Sequence, residues 1–224
     1  SFNYSVSIDV LGAIIEKIVG TRLSEHLSKT IFEPLGMNDT GFDVPKEKRG
    51  RYAYIYAPAD RENPAIGEVG EESIDWKLAE LPRSSEPLPR KFDSGGGGIQ
   101  STADDYATYL NMVANQGELF GTRILNKATA ALHTENLVPG LGLESFRDTF
   151  GDAAKFMSFG GGFGIKQEED GSGENDYYFW GGAYNTFFWI DGDKETIGVF
   201  LTHHWPVQYN ISDQIEQIVD EARL

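Results

Sequence analysis

Three short stretches hold residue types that can do chemistry. Phe2, Asn3, Tyr4 and Ser5 stand directly before an apolar-periodic segment, which puts the Tyr4 phenol at a helix entrance, in the positive field of the N-terminus. A tyrosine there can equally be a packing residue. The run Gly95 to Gly98, followed by Ile99, Gln100, Ser101, Thr102, Ala103 and Asp104, permits tight backbone approach ahead of a capped helix, or is simply a permissive loop. Phe179, Trp180, Gly181, Gly182 and Ala183 close a strand-like stretch. There two glycines let another group approach the backbone and leave the Ala183 N–H free to donate.

Familiar catalytic signatures are missing: the chain has no G-x-S-x-G elbow, phosphate loop or H-E-x-x-H. Its histidines are His26, His133, His203 and His204, and adjacent residues on a strand face opposite ways, so the last two cannot share one metal. Asp191, Asp193 and Glu195 lie where a hairpin turn is needed and read as turn chemistry rather than a calcium loop. The Asn38 and Asn210 glycosylation triplets are of a kind that chance supplies. No metal and no cofactor is called for.

The 224 residues carry 19 basic and 35 acidic side chains, a formal charge of −16, which argues against nucleic acid as a partner. Hydrophobic residues make up 40% and charged ones 24%, an ordinary globular balance. No apolar run approaches the roughly 18 residues of a membrane span. There is no cysteine, so disulfides and thiol nucleophiles are excluded, though the compartment is not fixed by this. The location is left open, a cytoplasmic one being expected over a periplasmic one.

The elements that must position these residues follow from periodicity. Val6, Val10, Leu11, Ile14, Ile15, Ile18 and Val19 predict an amphipathic helix over 6–19 that stops at Gly20. A shorter helix is expected over 23–32, ending against Pro34, Leu35 and Gly36. Prolines punctuate 41–92 and predict a covering loop region. Ser101 or Thr102 caps a helix with Asp104 and Asp105 in its first turn, ending near Gly117, and a short helix follows over 126–134. Four antiparallel strands are expected at 162–167, 176–180, 186–191 and 196–202. A final helix carries Ile211, Ile215, Ile218, Val219 and Ala222 on one face. This is an α+β architecture, with a helical and loop region at 1–155 and the sheet and C-terminal helix at 156–224.

The order of these stretches resembles the serine β-lactamase and penicillin-binding superfamily, particularly the class C-like family VIII carboxylesterases. The matching blocks are Tyr-Ser-x-x-x-Asp-Val-Leu-Gly-x-Ile-Ile-Glu at 4–16, Ile-Phe-Glu-Pro-Leu-Gly-Met at 31–37, Gly-Gly-Gly-Gly-Ile-x-Ser-Thr-Ala-x-Asp at 95–105, and Trp-Gly-Gly at 180–182. The resemblance implies a β-lactamase-like (transpeptidase-like) fold with Tyr4 as catalytic tyrosine and the Ala183 N–H as an oxyanion donor. It places Trp180, Gly181 and Gly182 where relatives carry K-T-G and contact substrate. Val6 stands where the Y-x-N form of the β-lactamases has asparagine, as in the esterase-like variant. The family's nucleophile is the serine of S-x-x-K, a motif this sequence lacks, so the chain is expected to be the C-terminal part of a longer hydrolase.

A phenol titrates near ~10 in water, so a tyrosine base at neutral pH needs that lysine beside it. The chain alone is therefore expected to be inert. An indole offers one neutral donor and an apolar face where lysine offers a cation, which favours small-molecule esters over β-lactams. Tyr52, Tyr54, Tyr56 and Trp76 are candidate pocket walls. The other readings are a β-lactamase or D-amino-acid peptidase of the same superfamily, a non-catalytic binding relative, and an N-terminal-nucleophile hydrolase using Ser1.

Overall fold

The computed structural model describes residues 2–58, 76–78, 92–143, 146, 151–168, 172, 174–204 and 211–222. Helix α1, Ser7–Val19, ends where Gly20 turns left-handed (φ 75°) and returns its N–H to Glu16. Among the described residues its apolar stripe is uncovered: Val6, Val10, Leu11, Ile14 and Ile18 are exposed, and only Gly12 of the helix is buried.

The expected helix over 23–32 is longer and irregular. It comprises α2 (Leu23–Leu27), a wider π-helical turn at Ser28–Phe32 and α3 (Glu33–Leu35), which stops at left-handed Gly36. Pro34 does not end it because proline fits the first turn of a new α segment, where its missing N–H is not needed. The start of α2 is held from outside. Leu23 N–H donates to Glu16 Oε1 at 2.8 Å and Ser24 N–H to Asp93 Oδ2 at 2.9 Å. Arg22 reaches both oxygens of Asp93, at 2.6 and 3.2 Å. Burial opposes charge on Asp93, but the hydrogen bonds from Arg22 and Ser24 outweigh it and hold the carboxyl well below the usual carboxylate range.

Of the covering loop 41–92, the described parts are residues 41–58, which include a 3₁₀ segment at Lys46–Arg51, with 76–78 and 92. Strand β1 (Tyr56–Pro58) pairs with β2 (Trp76–Leu78), and the remainder lies outside the described residues. Helix α4, Ala103–Ala114, begins as expected, Thr102 accepting the Asp105 N–H. It stops before Gly117, because the chain reverses at Gln116 and Gly117, both at positive φ, into a small hairpin of β3 (Glu118–Leu119) and β4 (Thr122–Arg123). Helix α5 is shorter than 126–134, spanning Lys127–Ala131 with Asn126 as its cap.

The main sheet has five antiparallel strands, not four, in sequence order: β5 (Met157–Phe159), β6 (Gly164–Gln167), β7 (Asn175–Gly182), β8 (Thr186–Asp191) and β9 (Thr196–Leu201). Three residues of β5 are too few for an alternation to be read. The strand expected from 162 starts at Gly164 because Gly162 sits at φ 117°. Period-two alternation divides the sheet. Phe188 and Ile190 pack with Leu110, Met112 and Val113 of α4, while Tyr177, Phe179 and Trp189 form a second cluster with Leu143 and Met157. Helix α6, Ser212–Glu221, adds Ile215 and Val219 to that cluster. Lys194 bonds Asp220 of α6 at 2.8 Å and Asp191 at 2.9 Å. Asp191 also accepts the Lys194 N–H, the turn role read from the sequence. Among the described residues no helix is long and apolar enough to cross a membrane.

The glycine run packs backbone to backbone on α1. A Cβ at Gly95 would lie 2.5 Å from the Ile8 carbonyl oxygen, whereas one at Gly97 would meet nothing within 4 Å. Gly95→Ala is expected to lower stability by about 1–3 kcal/mol, the cost of overpacking, and Gly97→Ala to stay within about 0.5 kcal/mol of wild type. Urea denaturation of both variants checks this; equal midpoints would contradict it.

Candidate active site

Two of the sequence blocks interlock to set where α1 begins. Asp9 Oδ1 accepts the Ser94 hydroxyl at 2.5 Å and the Gly96 N–H at 3.4 Å. Gly12 faces the same turn: a Cβ there would lie 3.0 Å from Leu23 Cδ2 and in ordinary contact, at 3.5 Å, with the Gly95 nitrogen. The turn is tied in its own right to the segment before the covering loop. Gly41 and Gln100 exchange two backbone hydrogen bonds, and Asp105 accepts from the Asp39 N–H and Thr40 hydroxyl at 2.7 and 2.8 Å.

With α1 fixed, the residues just ahead of it cross the end of the main sheet. The Tyr4 ring lies 5.1 Å from Trp180, 5.5 Å from Phe146 and 6.4 Å from Phe159. Trp180 is also contacted edge-on by Phe159 and Phe146, at 5.0 and 5.2 Å. Phe2 packs on Phe159 at 5.1 Å. Tyr4 remains 45% exposed while its ring is braced by aromatic contacts.

Trp180, Gly181 and Gly182 form the last three residues of β7, and Ala183 opens the turn that follows. The Gly182 backbone is approached by the Thr186 hydroxyl across the same hairpin. Ala183 is exposed, and among the described residues its N–H makes no hydrogen bond. Tyr4 and Trp180, 176 positions apart in sequence, thus meet, and Ala183 follows three residues beyond the indole.

Tyr52 is tied by its hydroxyl to Gln100 Oε1 at 2.6 Å, while Tyr54 and Tyr56 are half-exposed. Ser1 and the side chain of Trp76 lie outside the described residues, as does Asn210. The histidines have separate partners: His133 lies 3.3 Å from the Tyr109 hydroxyl, His203 Nδ1 3.0 Å from the Ala53 carbonyl and His204 Nε2 2.8 Å from Asn185 Nδ2. Among the described residues no three His, Asp or Glu side chains gather as a metal site. Sequence reasoning missed Phe146 and Phe159 as ring partners of Trp180, since nothing local marks a contact made across the fold. It also missed Asn185, for which a signal existed: an asparagine closing the three-residue link between two strands.

The profile of the Beta-lactamase family matches residues 1–218, and the chain belongs to that family. It is 28% identical over 212 residues to Protein Rv1367c of Mycobacterium tuberculosis, covering 91% of this chain and 49% of that protein. It is 30% identical over 120 residues to Esterase EstB of Burkholderia gladioli, covering 53% of this chain and 31% of EstB. Among solved structures it is similar to EstCE1, described as a hydrolase with promiscuous acyltransferase activity. There the TM-score is 0.68 at 23% identity, covering 91% of this chain and 51% of the other. The fold is β-lactamase-like, and the chain spans about half the length of Rv1367c and EstCE1.

His203 is where the covering loop docks beside this turn. Its ring sits 5.1 Å from Tyr184 and 5.9 Å from Tyr52, and the Tyr56 N–H donates to its carbonyl at 2.9 Å. Burial pushes the imidazole below its ordinary value, outweighing the hydrogen bond to Ala53. Between that lowered value and ~6.5 the unfolded chain binds more protons, so the stability this ring contributes is complete above ~6.5 and is lost as pH falls through the folded value. An NMR titration is expected to show the His203 midpoint below ~6.5, with the Tyr52 resonances shifting in step. A midpoint at or above that value would contradict the burial argument.

Proposed function

We propose that this chain is the C-terminal part of a serine hydrolase, a carboxylesterase that works through an acyl-enzyme, with the serine and lysine of S-x-x-K supplied from upstream in the same polypeptide. The observation that carries the reading is the contact of the Tyr4 and Trp180 rings at 5.1 Å, which sets a phenol beside an aromatic wall at the strand end that leads to an exposed amide. The uncovered apolar stripe of α1 supports the upstream part: it is the kind of surface that a buried helix presents to a neighbour.

In this mechanism the upstream serine gives its proton to the lysine and Tyr4 pair and attacks the ester carbonyl. The Ala183 N–H and the serine's own N–H stabilise the oxyanion. Tyr4 then delivers the proton to the departing alcohol, leaving an acyl-serine. Water repeats the sequence, releasing the carboxylic acid and restoring the serine. Trp180 in place of a lysine leaves that position without a cation for a β-lactam or peptide carboxylate, which favours neutral acyl groups over the β-lactamase and D-amino-acid peptidase alternatives.

The test is turnover of a series of p-nitrophenyl esters, with a chromogenic cephalosporin alongside, by the polypeptide that includes the upstream S-x-x-K. Ester turnover is expected, falling by about 100- to 10,000-fold in Tyr4→Phe, with none from residues 1 to 224 alone. Cephalosporin turnover without ester turnover, or full ester activity in Tyr4→Phe, would overturn the reading.

A further inference from the structure

The geometry points to Asn185, Thr202 and His204 as positioning residues that aim the Ala183 N–H at the developing oxyanion, an inference that rests on the proposed ester chemistry.

Strands β7 and β8 pair as far as Gly182 and Thr186, leaving Ala183, Tyr184 and Asn185 as the link. The Asn185 N–H donates to the Gly182 carbonyl at 3.0 Å, and Asn185 sits at φ 59°, a left-handed conformation that asparagine adopts more readily than most residues. In a trans peptide the carbonyl and the following N–H point to opposite sides. Once the Gly182 carbonyl is engaged inside the turn, the Ala183 N–H must face outward, where the residue is exposed. One internal bond, next to the Gly182 and Thr186 pair, closes the turn.

The segment after β9 adds further hydrogen bonds to the link. The Thr202 hydroxyl donates to the Asn185 carbonyl at 2.8 Å, with the Tyr184 carbonyl 3.4 Å away. The His204 N–H donates to the Tyr184 carbonyl at 3.3 Å. Asn185 Nδ2 donates to His204 Nε2 at 2.8 Å. The Tyr184 and Asn185 carbonyls and the Asn185 side-chain amide are therefore all bound to 202–204. That segment is itself anchored by the Tyr56 N–H and Ala53 carbonyl, which pair with His203. A tight turn needs none of this to form; an oxyanion donor needs it, because such a donor contributes only when its direction is fixed before charge develops.

The role is tested in the polypeptide carrying S-x-x-K, with Asn185→Gly and His204→Ala. Glycine keeps the left-handed backbone available, so Asn185→Gly removes only the amide and carries the test should His204→Ala fold poorly. For p-nitrophenyl ester hydrolysis kcat is expected to fall about 10- to 100-fold in each, with KM within about twofold, since ground-state binding does not use the oxyanion donor. Affinity for phenylboronic acid, whose tetrahedral serine adduct mimics the intermediate, is expected to fall by the same factor. His204→Gln, which keeps an acceptor for the Asn185 amide, is expected to restore most of both. A purely structural role would instead lower the thermal midpoint and leave kcat and boronate affinity of the folded fraction unchanged, overturning the inference while the esterase reading stands. A wild-type polypeptide without ester turnover would overturn both.

Discussion

The approach of the α1 backbone to the glycine turn at 95–98 is the contact on which the rest of the site depends. It exists only because hydrogen stands where a side chain would collide with the Ile8 carbonyl, and because Asp9 spans the gap to Ser94 and Gly96. Those bonds lie one helical turn beyond Tyr4. They fix the direction from which the chain enters α1, and hence which part of the sheet the Tyr4 ring can reach. A few ångströms of slack here would be felt at the phenol, because no residue between Tyr4 and Ser7 is buried.

The second half of the site is built by strand order. Tyr178 and Trp180 alternate with Tyr177 and Phe179 along β7, so the aromatic content that fills both cores also leaves one indole at the strand's end, facing Tyr4. The result is a corner walled by π-surfaces, the Tyr4, Phe146 and Phe159 rings standing around Trp180. The charges nearby serve the frame: Asp93 with Arg22 starts α2, and Lys194 with Asp191 and Asp220 fastens α6.

Much of this was legible before the structure. Helix α1 was readable because its apolar period and Gly20 stop agree, and α4 because Thr102 and its two aspartates form a strong start signal. Strands β7, β8 and β9 were legible as aromatic and β-branched runs between turns. Strand β5 and the hairpin at 118–123 were not, being too short to carry a period. The continuation of α2 past Pro34 escaped because proline reads as a stop unless a new helical turn begins beneath it. At the site, the residue types at 4, 180 and 183 were visible, and the blocks at 4–16, 31–37, 95–105 and 180–182 carried the family resemblance. Their aromatic bracing was not, since Phe146 and Phe159 reach Trp180 only through tertiary contact. The function of Asp93 as a helix cap was equally hidden, because its partner Ser24 is 69 residues away.

The proposed chemistry requires the Tyr4 phenol and the Ala183 amide to frame one reacting carbon. The most direct measurement is a crystal structure of the S-x-x-K-containing polypeptide inactivated by a p-nitrophenyl alkylphosphonate. The expected result is a phosphonylated upstream serine, with the phosphoryl oxygen about 2.7–3.1 Å from the Ala183 nitrogen and the Tyr4 hydroxyl within hydrogen-bond reach of the serine oxygen. A phosphoryl oxygen pointing away from Ala183, or a labelled residue remote from Tyr4, would contradict it.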